Sequence, residues 1–355
     1  MKSLTAVAQP VPGLEHIPAE PISPLVAATA HGLPAQDNVL ARARAFSLPL
    51  IADETLDTGE NALQHADAVA AILRHIGGSE AMQAAAYLVH ASEQLNKPRE
   101  VIGKAFGESY ASLAVETVAL MKVQAQARQV DAGHLVDDPA TQTENVRKML
   151  LAFSRDLRVV MLRLTSRMQT LRWYAASKAP VSPAIARESL QVFAPLANRL
   201  GIWQIKWELE DLSFRFLEPD TYKKIAKLLD ETRVERELYM VSLRENLESD
   251  LRAHSISATV AGRPKHIYSI IKKMRGKSLD FEQLFDIRAL RVVVPTVKDC
   301  YAALSCVHTK FTPIESEFDD YIAKPKPNGY QSLHTVVRDG DGKAIEIQIR
   351  TQAMH

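Results

Sequence analysis

The segment Ala344–Arg350 reads A-I-E-I-Q-I-R and alternates without a break. Successive side chains of an extended chain point to opposite faces, so Ile345, Ile347 and Ile349 share one face while Glu346, Gln348 and Arg350 share the other. Three β-branched residues on one side commit the segment to a sheet that covers a core. The opposite side carries an acid, an amide and a guanidinium, which is not ordinary surface decoration. Upstream, K-P-K-P-N-G-Y-Q-S-L-H-T-V-V (Lys324–Val337) offers lysines, a glycine turn and a tyrosine. Asp339-Gly340-Asp341-Gly342 is a strong turn signal between Ser332–Val337 and Ala344–Arg350, so the two form a hairpin. Together they read as a pocket for a nucleotide and a metal ion.

The 355 residues accommodate two or three domains. A hydrophobic content of 46% with 24% charged residues is ordinary for a soluble globular protein. The net charge of +1 gives no overall polyanion signal, so any nucleic-acid contact must come from a local patch. No apolar run is long enough to span a bilayer, and the N-terminus lacks a basic-then-apolar signal pattern. A cytoplasmic protein without a membrane partner is expected. Cys300 and Cys306 lie on one predicted helix off the same face, which argues against a disulfide or a zinc site.

Residues 1–45 are rich in Pro and Ala and read as a flexible leader with at most short helical pieces. Residues 46–200 carry helical periodicity, with the longest run through Met149, Phe153, Leu157, Met161, Leu164, Met168 and Leu171 until Pro180 and Pro183 break it. Residues 201–249 read as a helical connector in which Pro219-Asp220 separates two helices. Residues 250–355 read as an α+β domain with a small sheet. Its expected elements are a strand over 254–261, a basic helix over 264–277, a capping box at Asp280 and Gln283, a strand over 287–294, a helix over 296–309 and the hairpin.

Four constellations carry possible chemistry. Arg263, Lys265, Lys272, Lys273, Arg275 and Lys277 cluster with no acid among them, and Lys265, Ser269, Lys272 and Lys273 recur near helical spacing. Such a cluster neutralises a polyphosphate, or is a solvated basic face or a nucleic-acid patch. Asp286 falls where a short helix gives way to a strand, followed by Arg288 and Arg291; it is a metal-binding carboxylate or an edge-strand ion pair. The strand of Glu346 can lie beside that of Asp286, and two carboxylates so placed suit Mg²⁺ completed by phosphate oxygens. Tyr330, after Asn328-Gly329, is a core residue or a ring that stacks on a base, with Lys326 and His334 within reach of phosphates.

In this order and spacing, G-R-P-K-H-I-Y-S-I (262–270), F-D-I-R-A-L-R-V (285–292), N-G-Y-Q-S-L-H (328–334) and I-E-I-Q-I-R-T (345–351) resemble the synthetase domain of the RelA/SpoT family, whose members make the alarmone (p)ppGpp. The run from Phe193 to Leu217 resembles the family's segment between its two domains, and the likeness covers about residues 50–355. It implies an α+β multidomain chain: an all-α, HD-type domain over 46–200, the connector over 201–249, and a nucleotidyltransferase-like α+β domain over 250–355 with a small mixed sheet flanked by helices. It further implies a pyrophosphokinase (GTP diphosphokinase) of the stringent response, in which the 3′-hydroxyl of GDP or GTP attacks the β-phosphorus of ATP and AMP leaves. By motif, Asp286 and Glu346 would hold Mg²⁺, with Glu346 as the base. Arg263 and Arg291 would sandwich the adenine, and Lys265, Ser269 and Lys273 would hold the ATP phosphates. Tyr330 would stack on guanine, with Lys326, Asn328, Gln331, His334, Gln348 and Arg350 around the guanine nucleotide.

The resemblance also says what the helical half lacks. Bifunctional relatives carry a Mn²⁺ hydrolase built on a His, a His-Asp pair, a Glu-Asp pair and a later Asp. Here the slots read His65, His90-Ala91, Glu93-Gln94 and Ser166 within L-T-S-R-M-Q-T-L-R (164–172). A site stripped of carboxylates has lost the charge that holds the ion. No Mn²⁺ site and no hydrolase activity are expected, and His65 and His90 become ordinary buried histidines. Glu317-Phe318-Asp319-Asp320 stands where bifunctional members are basic; this acidic version points to a monofunctional synthetase, or it is a solvated turn. The likeness also implies regulatory domains beyond His355 that engage the ribosome and uncharged tRNA, so a catalytic fragment with a native N-terminus is expected. The alternatives are a catalytically idle regulatory or ribosome-binding module and a bifunctional synthetase/hydrolase.

Overall fold

The computed structural model describes residues 24–29, 32–34, 36–131, 156–231, 233–262, 266–278, 288–327 and 329–354. The chain divides into two compact units, the first ending at Leu217 and the second resuming at Glu218. No helix among the described residues is long and apolar enough to cross a membrane.

The first unit is helical: α1 Pro24–Ala28, α2 Val39–Ile51, α3 Ala62–His75, α4 Glu80–Glu93, α5 Pro98–Phe106, α6 Glu108–Asp131, α7 Leu157–Ser177, α8 Pro183–Glu188, a π-helical turn Ser189–Phe193, α9 Ala194–Arg199 and α10 Trp203–Leu217. Helix α4 is buried from Ala81 to Ser92 and packs against α2, α3 and α6. Its Ala84, Ala85 and Ala86 give the neighbouring backbones a close approach, while Met82 and Leu88 fill the space between them. Ser79 accepts the Met82 amide at 3.3 Å and Asn61 accepts the Gln64 amide at 3.0 Å, so α4 and α3 each start on a side-chain cap.

Two boundaries differ from the sequence reading. The expected leader ends inside α2, and Val26, Leu33 and Val39 are buried in the core of the helical unit. Their apolar area outweighs the proline content around them, because Pro24 and Pro34 flank helical turns instead of interrupting them. The expected connector over 201–249 is divided, with α10 in the helical unit and the following helices in the second.

The second unit contains α11 Pro219–Glu231, α12 Arg233–Ala253, β1 Thr259–Gly262, α13 Ile267–Lys277, β2 Ala289–Val294, α14 Val297–Lys310, β3 Thr312–Pro313, β4 Asp319–Asp320, β5 Leu333–Arg338 and β6 Ala344–Thr351. Helix α12 persists to Ala253, further than the alternation around His254 suggested. Ser255 then turns left-handed (φ 59°) and Ile256 N–H reaches back to the Leu251 carbonyl at 2.9 Å, which closes the helix and delays β1. The start of α14 is fixed by a reciprocal capping box between Thr296 and Asp299. The expected capping box at Asp280 and Gln283 lies outside the described residues.

The sheet runs β1-β2-β6-β5-β3, with β4 also on β5. Among the described residues, only β2 and β6 pair in parallel; the other pairs are antiparallel. Leu290, Val292, Val294, Leu333, Val337, Ile345, Ile347 and Ile349 form one face and pack against Leu243, Leu247 and Leu251 of α12 and Ala303 and Val307 of α14. Cys300 and Cys306 are buried, unbridged members of this core. Ile347 is fully buried at its centre. Ile347→Ala is expected to destabilise the second unit by about 2–5 kcal/mol through lost contacts and the cavity left behind. Urea denaturation followed by far-UV circular dichroism measures it, and an unchanged midpoint would place the residue outside the core.

Candidate functional site

The face of the sheet opposite the isoleucines carries Glu346, Gln348 and Arg350, and all three are buried (6%, 2% and 3% exposed). Strand β6 lies between β2 and β5, so its polar face is shielded on both flanks. In register, Glu346 lies beside Ala289 and Val336, Gln348 beside Arg291 and His334, and Arg350 beside Val293. Arg291, itself 7% exposed, therefore joins the same face. Buried charges of both signs on one face, with the Nε atoms of Arg291 and Arg350 making no hydrogen bond, form a site that rewards a charged ligand. Glu346 Oε1 accepts the Gln348 Nε2–H at 2.8 Å, and His334 Nδ1 lies 3.9 Å from the same oxygen.

The loop before β5 converges on this face. Gly329 sits at φ 77°, a left-handed conformation that closes the turn through Gly329 N–H to the Lys326 carbonyl at 2.8 Å. The turn brings the Tyr330 hydroxyl to 2.8 Å from His334 Nε2. Tyr321 meets both rings edge-on, with centroids 6.3 Å from Tyr330 and 5.2 Å from His334. Lys326 Nζ lies 4.2 Å from the Tyr321 centroid and 5.5 Å from that of Tyr330. A continuous line thus runs from Tyr330 through His334 to Glu346. The sequence places His334 with nucleotide phosphates and gives no signal for Tyr321 beyond a second aromatic nine residues before Tyr330, which β4 brings close by folding onto β5. Gln331 reaches the Ile322 carbonyl at 3.4 Å.

The acidic stretch at 317–320 splits in role. Asp320 is spent on its own turn, accepting the amides of Ile322 and Ala323 and the Tyr301 hydroxyl, while Asp319 lies opposite His334 in the β4–β5 ladder. In the basic helix α13, Ser269 and Lys273 are half-buried, but Arg275 is not available as the cluster suggested: it forms a two-pronged ion pair with Glu218 at 2.5 and 2.9 Å. Arg263, Lys265, Asp286 and Asn328 lie outside the described residues.

The helical unit contains a second cluster, around the expected hydrolase slots. His65 Nδ1 lies 2.7 Å from Glu60 Oε2, and His65 Nε2 lies 2.9 Å from Ser166 Oγ. The other Glu60 oxygen accepts Gln169 Nε2–H at 2.6 Å. His90 stands edge-on to His65 with centroids 5.1 Å apart, and Ala91 is fully buried beside it. Both His65 nitrogens are thus engaged by protein, His90 Nδ1 lies 3.7 Å from Glu93 Oε2, and Ala91 and Ser166 bring no carboxylate. Glu60 and Gln169 were invisible to sequence reading, because 109 residues separate them. The order Glu60, His65, Ser166 also has the connectivity of a nucleophile triad. The Ser166 amide is spent inside α7, and the adjoining cavity of about 10 Å³, lined by His90, Thr117, Arg163 and Ser166, holds roughly one water. The arrangement braces α3 against α7.

The fold defines a class: an HD-type helical domain followed by an α+β domain whose mixed sheet is flanked by helices. A family model described as "HD domain" matches residues 43–203, and one described as "Region found in RelA / SpoT proteins" matches residues 262–355. The chain belongs to the RelA/SpoT family. It is 53% identical over 216 residues to a GTP pyrophosphokinase of Photobacterium angustum, covering 61% of this chain and 29% of that protein. It is 48% identical over 248 residues to the GTP pyrophosphokinase of Escherichia coli, covering 70% of this chain and 33% of that one. It is also 43% identical over 318 residues to a Synechocystis protein named probable guanosine-3′,5′-bis(diphosphate) 3′-pyrophosphohydrolase, covering 89% of this chain and 40% of that one. The chain spans between 29% and 40% of the length of these three relatives.

The His65 pair has a pH signature. Burial, the dominant effect, holds the His65 pKa below its ordinary value against the opposing Glu60 hydrogen bond, with His90 and Arg163 acting in the same direction as burial. Below about pH 6.5 the unfolded chain takes up a proton that the folded site refuses, so stability falls with decreasing pH by up to about 1.4 kcal/mol per unit. Thermal melts between pH 7.5 and 5.5 are expected to show this fall, and His65→Gln is expected to flatten it. Equal pH slopes for the two proteins would refute the assignment.

Proposed function

We propose that the second unit transfers a pyrophosphoryl group from ATP to the 3′-hydroxyl of GDP or GTP, releasing AMP, and that the helical unit does not hydrolyse the product. The observation that carries this reading is the buried Glu346 carboxylate joined through His334 to Tyr330, on a sheet face that also carries Arg291, Gln348 and Arg350. GTP pyrophosphokinases among the relatives support it. The O3′–Pβ bond forms, the bond from Pβ to the oxygen bridging the α-phosphate breaks, and AMP leaves with that oxygen. Glu346 accepts the 3′-hydroxyl proton as general base. Tyr330 offers its ring to guanine, with Lys326, Asn328, Gln331, His334, Gln348 and Arg350 about the guanine nucleotide. Arg291 meets adenine with Arg263, and Lys265, Ser269 and Lys273 meet the ATP phosphates.

Among the described residues no group of three or more His, Cys, Asp or Glu side chains is placed to hold a metal. A lone buried carboxylate fits Mg²⁺, which takes one or two carboxylates and draws its remaining ligands from phosphate and water. Glu346 would hold it, with Asp286 assigned from its motif alone. When bound, Mg²⁺ offsets charge on the transferring group. Ribosome and uncharged tRNA are proposed as partners, and the cytoplasm as the location, from the family resemblance.

Glu346→Gln is expected to lower product formation at least ~100-fold with the fold intact. Labelled ATP with GDP and Mg²⁺, resolved chromatographically, measures it; retention of wild-type rates would remove Glu346 from the chemistry. For the helical unit, no pyrophosphate release from ppGpp is expected with Mn²⁺, and no change in melting temperature on adding Mn²⁺ or a chelator. Mn²⁺-dependent release would reinstate the bifunctional reading.

A further inference from the structure

Behind the sheet, on the side of the isoleucine core, one side chain touches three segments that converge on the backbone of Glu346. Tyr239 on α12 donates its hydroxyl hydrogen to Asp339 Oδ2 at 2.5 Å. Asp339 is the residue around which the β5–β6 turn is built: its Oδ1 accepts the amides of Asp341 at 3.0 Å and Lys343 at 2.8 Å. The face of the Tyr239 ring meets Lys343 Nζ at 4.8 Å and the Arg288 guanidinium at 5.6 Å from its centroid. Arg288 directly precedes β2, and its carbonyl accepts the Glu346 N–H at 2.9 Å, the rung that ties the start of β2 to Glu346. Tyr239 therefore holds both strands of the parallel pair at the rung where the candidate base leaves the backbone.

We infer that Tyr239 is a positioning residue for Glu346, acting from the opposite face of the sheet through the Asp339 turn and Arg288. This rests on the proposed pyrophosphoryl transfer. The grip is chemically specific. The carboxylate of Asp339 makes the hydrogen bond charge-assisted, and the two cations sit on the same aromatic ring, so the hydroxyl and the ring contribute separately. Burial and the Asp339 hydrogen bond both hold the Tyr239 hydroxyl protonated, so it remains a donor across the working pH range. A shift of a fraction of an ångström at this rung moves the Glu346 carboxylate relative to the bound hydroxyl without disturbing the loop of Tyr330 or helix α13. The effect of losing the grip is therefore on turnover and not on nucleotide binding.

The test compares wild type, Tyr239→Phe and Tyr239→Leu in this chain, at a temperature where melts show all three folded. Tyr239→Phe keeps the ring and loses the hydroxyl; Tyr239→Leu loses both. The expected result is a kcat reduced roughly ten-fold in Tyr239→Phe and further in Tyr239→Leu, with KM for ATP and GDP within about two-fold of wild type. Amide hydrogen exchange at Glu346 and Lys343 is expected to quicken in the same order. A kcat unchanged in both variants, or a change confined to KM, overturns the positioning role while leaving the synthetase reading in place. A wild-type chain that makes no product overturns both. Faster exchange with unchanged kcat assigns Tyr239 to stability alone and likewise overturns the inference.

Discussion

The parallel pairing of β2 with β6 is the constraint on which the second unit depends. Parallel strands need a long crossover, and here the chain between them supplies α14, β3, β4 and β5 before β6 returns to lie against β2. That return makes β6 internal, with hydrogen-bonded neighbours on both sides. An internal strand can sink isoleucines into a core on one face, and on the other it shields whatever polar groups it carries. Glu346, Gln348, Arg350 and Arg291 are buried for this reason. The same pairing ties the chain just before β2 to Glu346 by a backbone hydrogen bond. The reactivity proposed for Glu346 is thus a consequence of sheet order before it is a property of the residue.

The helical unit shows the converse case, a polar cluster that has settled into structure. Glu60, His65, Ser166 and Gln169 satisfy one another beside a cavity with room for about one water. A buried carboxylate without a cation is costly, and here the histidine and amide hydrogens offset it. Ala91, fully buried, adds apolar contact beside His90. Such a cluster is worth keeping for the sake of packing alone, because removing any one member leaves the others buried and unsatisfied.

Much of the second unit was legible in the chain. The alternation at 344–350 assigned each side chain of β6 to its face, Asp339–Gly342 marked the turn, and the helix expected over 296–309 matched α14. These are local signals, since period, turn chemistry and capping act over a few residues. The ends of elements were less legible. Helix α12 overran its expected end because the left-handed turn at Ser255 has no glycine to announce it, and α2 began inside the expected leader because Val26, Leu33 and Val39 gain more by burial than their proline-rich surroundings suggest.

By itself, then, the sequence determined the two kinds of domain, the faces of the central strand, and the residue types on its polar side. It also placed Ala91 and Ser166 at positions where the resemblance leads one to expect acids, because that is a matter of residue identity. Only the tertiary structure decided which of those residues meet. It set His334 between Tyr330 and Glu346, withdrew Arg275 into a pair with Glu218, gave Asp320 to its own turn, joined Glu60 to Gln169, and brought Tyr239 behind the rung at Glu346. Those meetings depend on contacts between residues far apart in the chain. Strand order and helix packing fix such contacts through the burial of a whole core, and no local pattern encodes them.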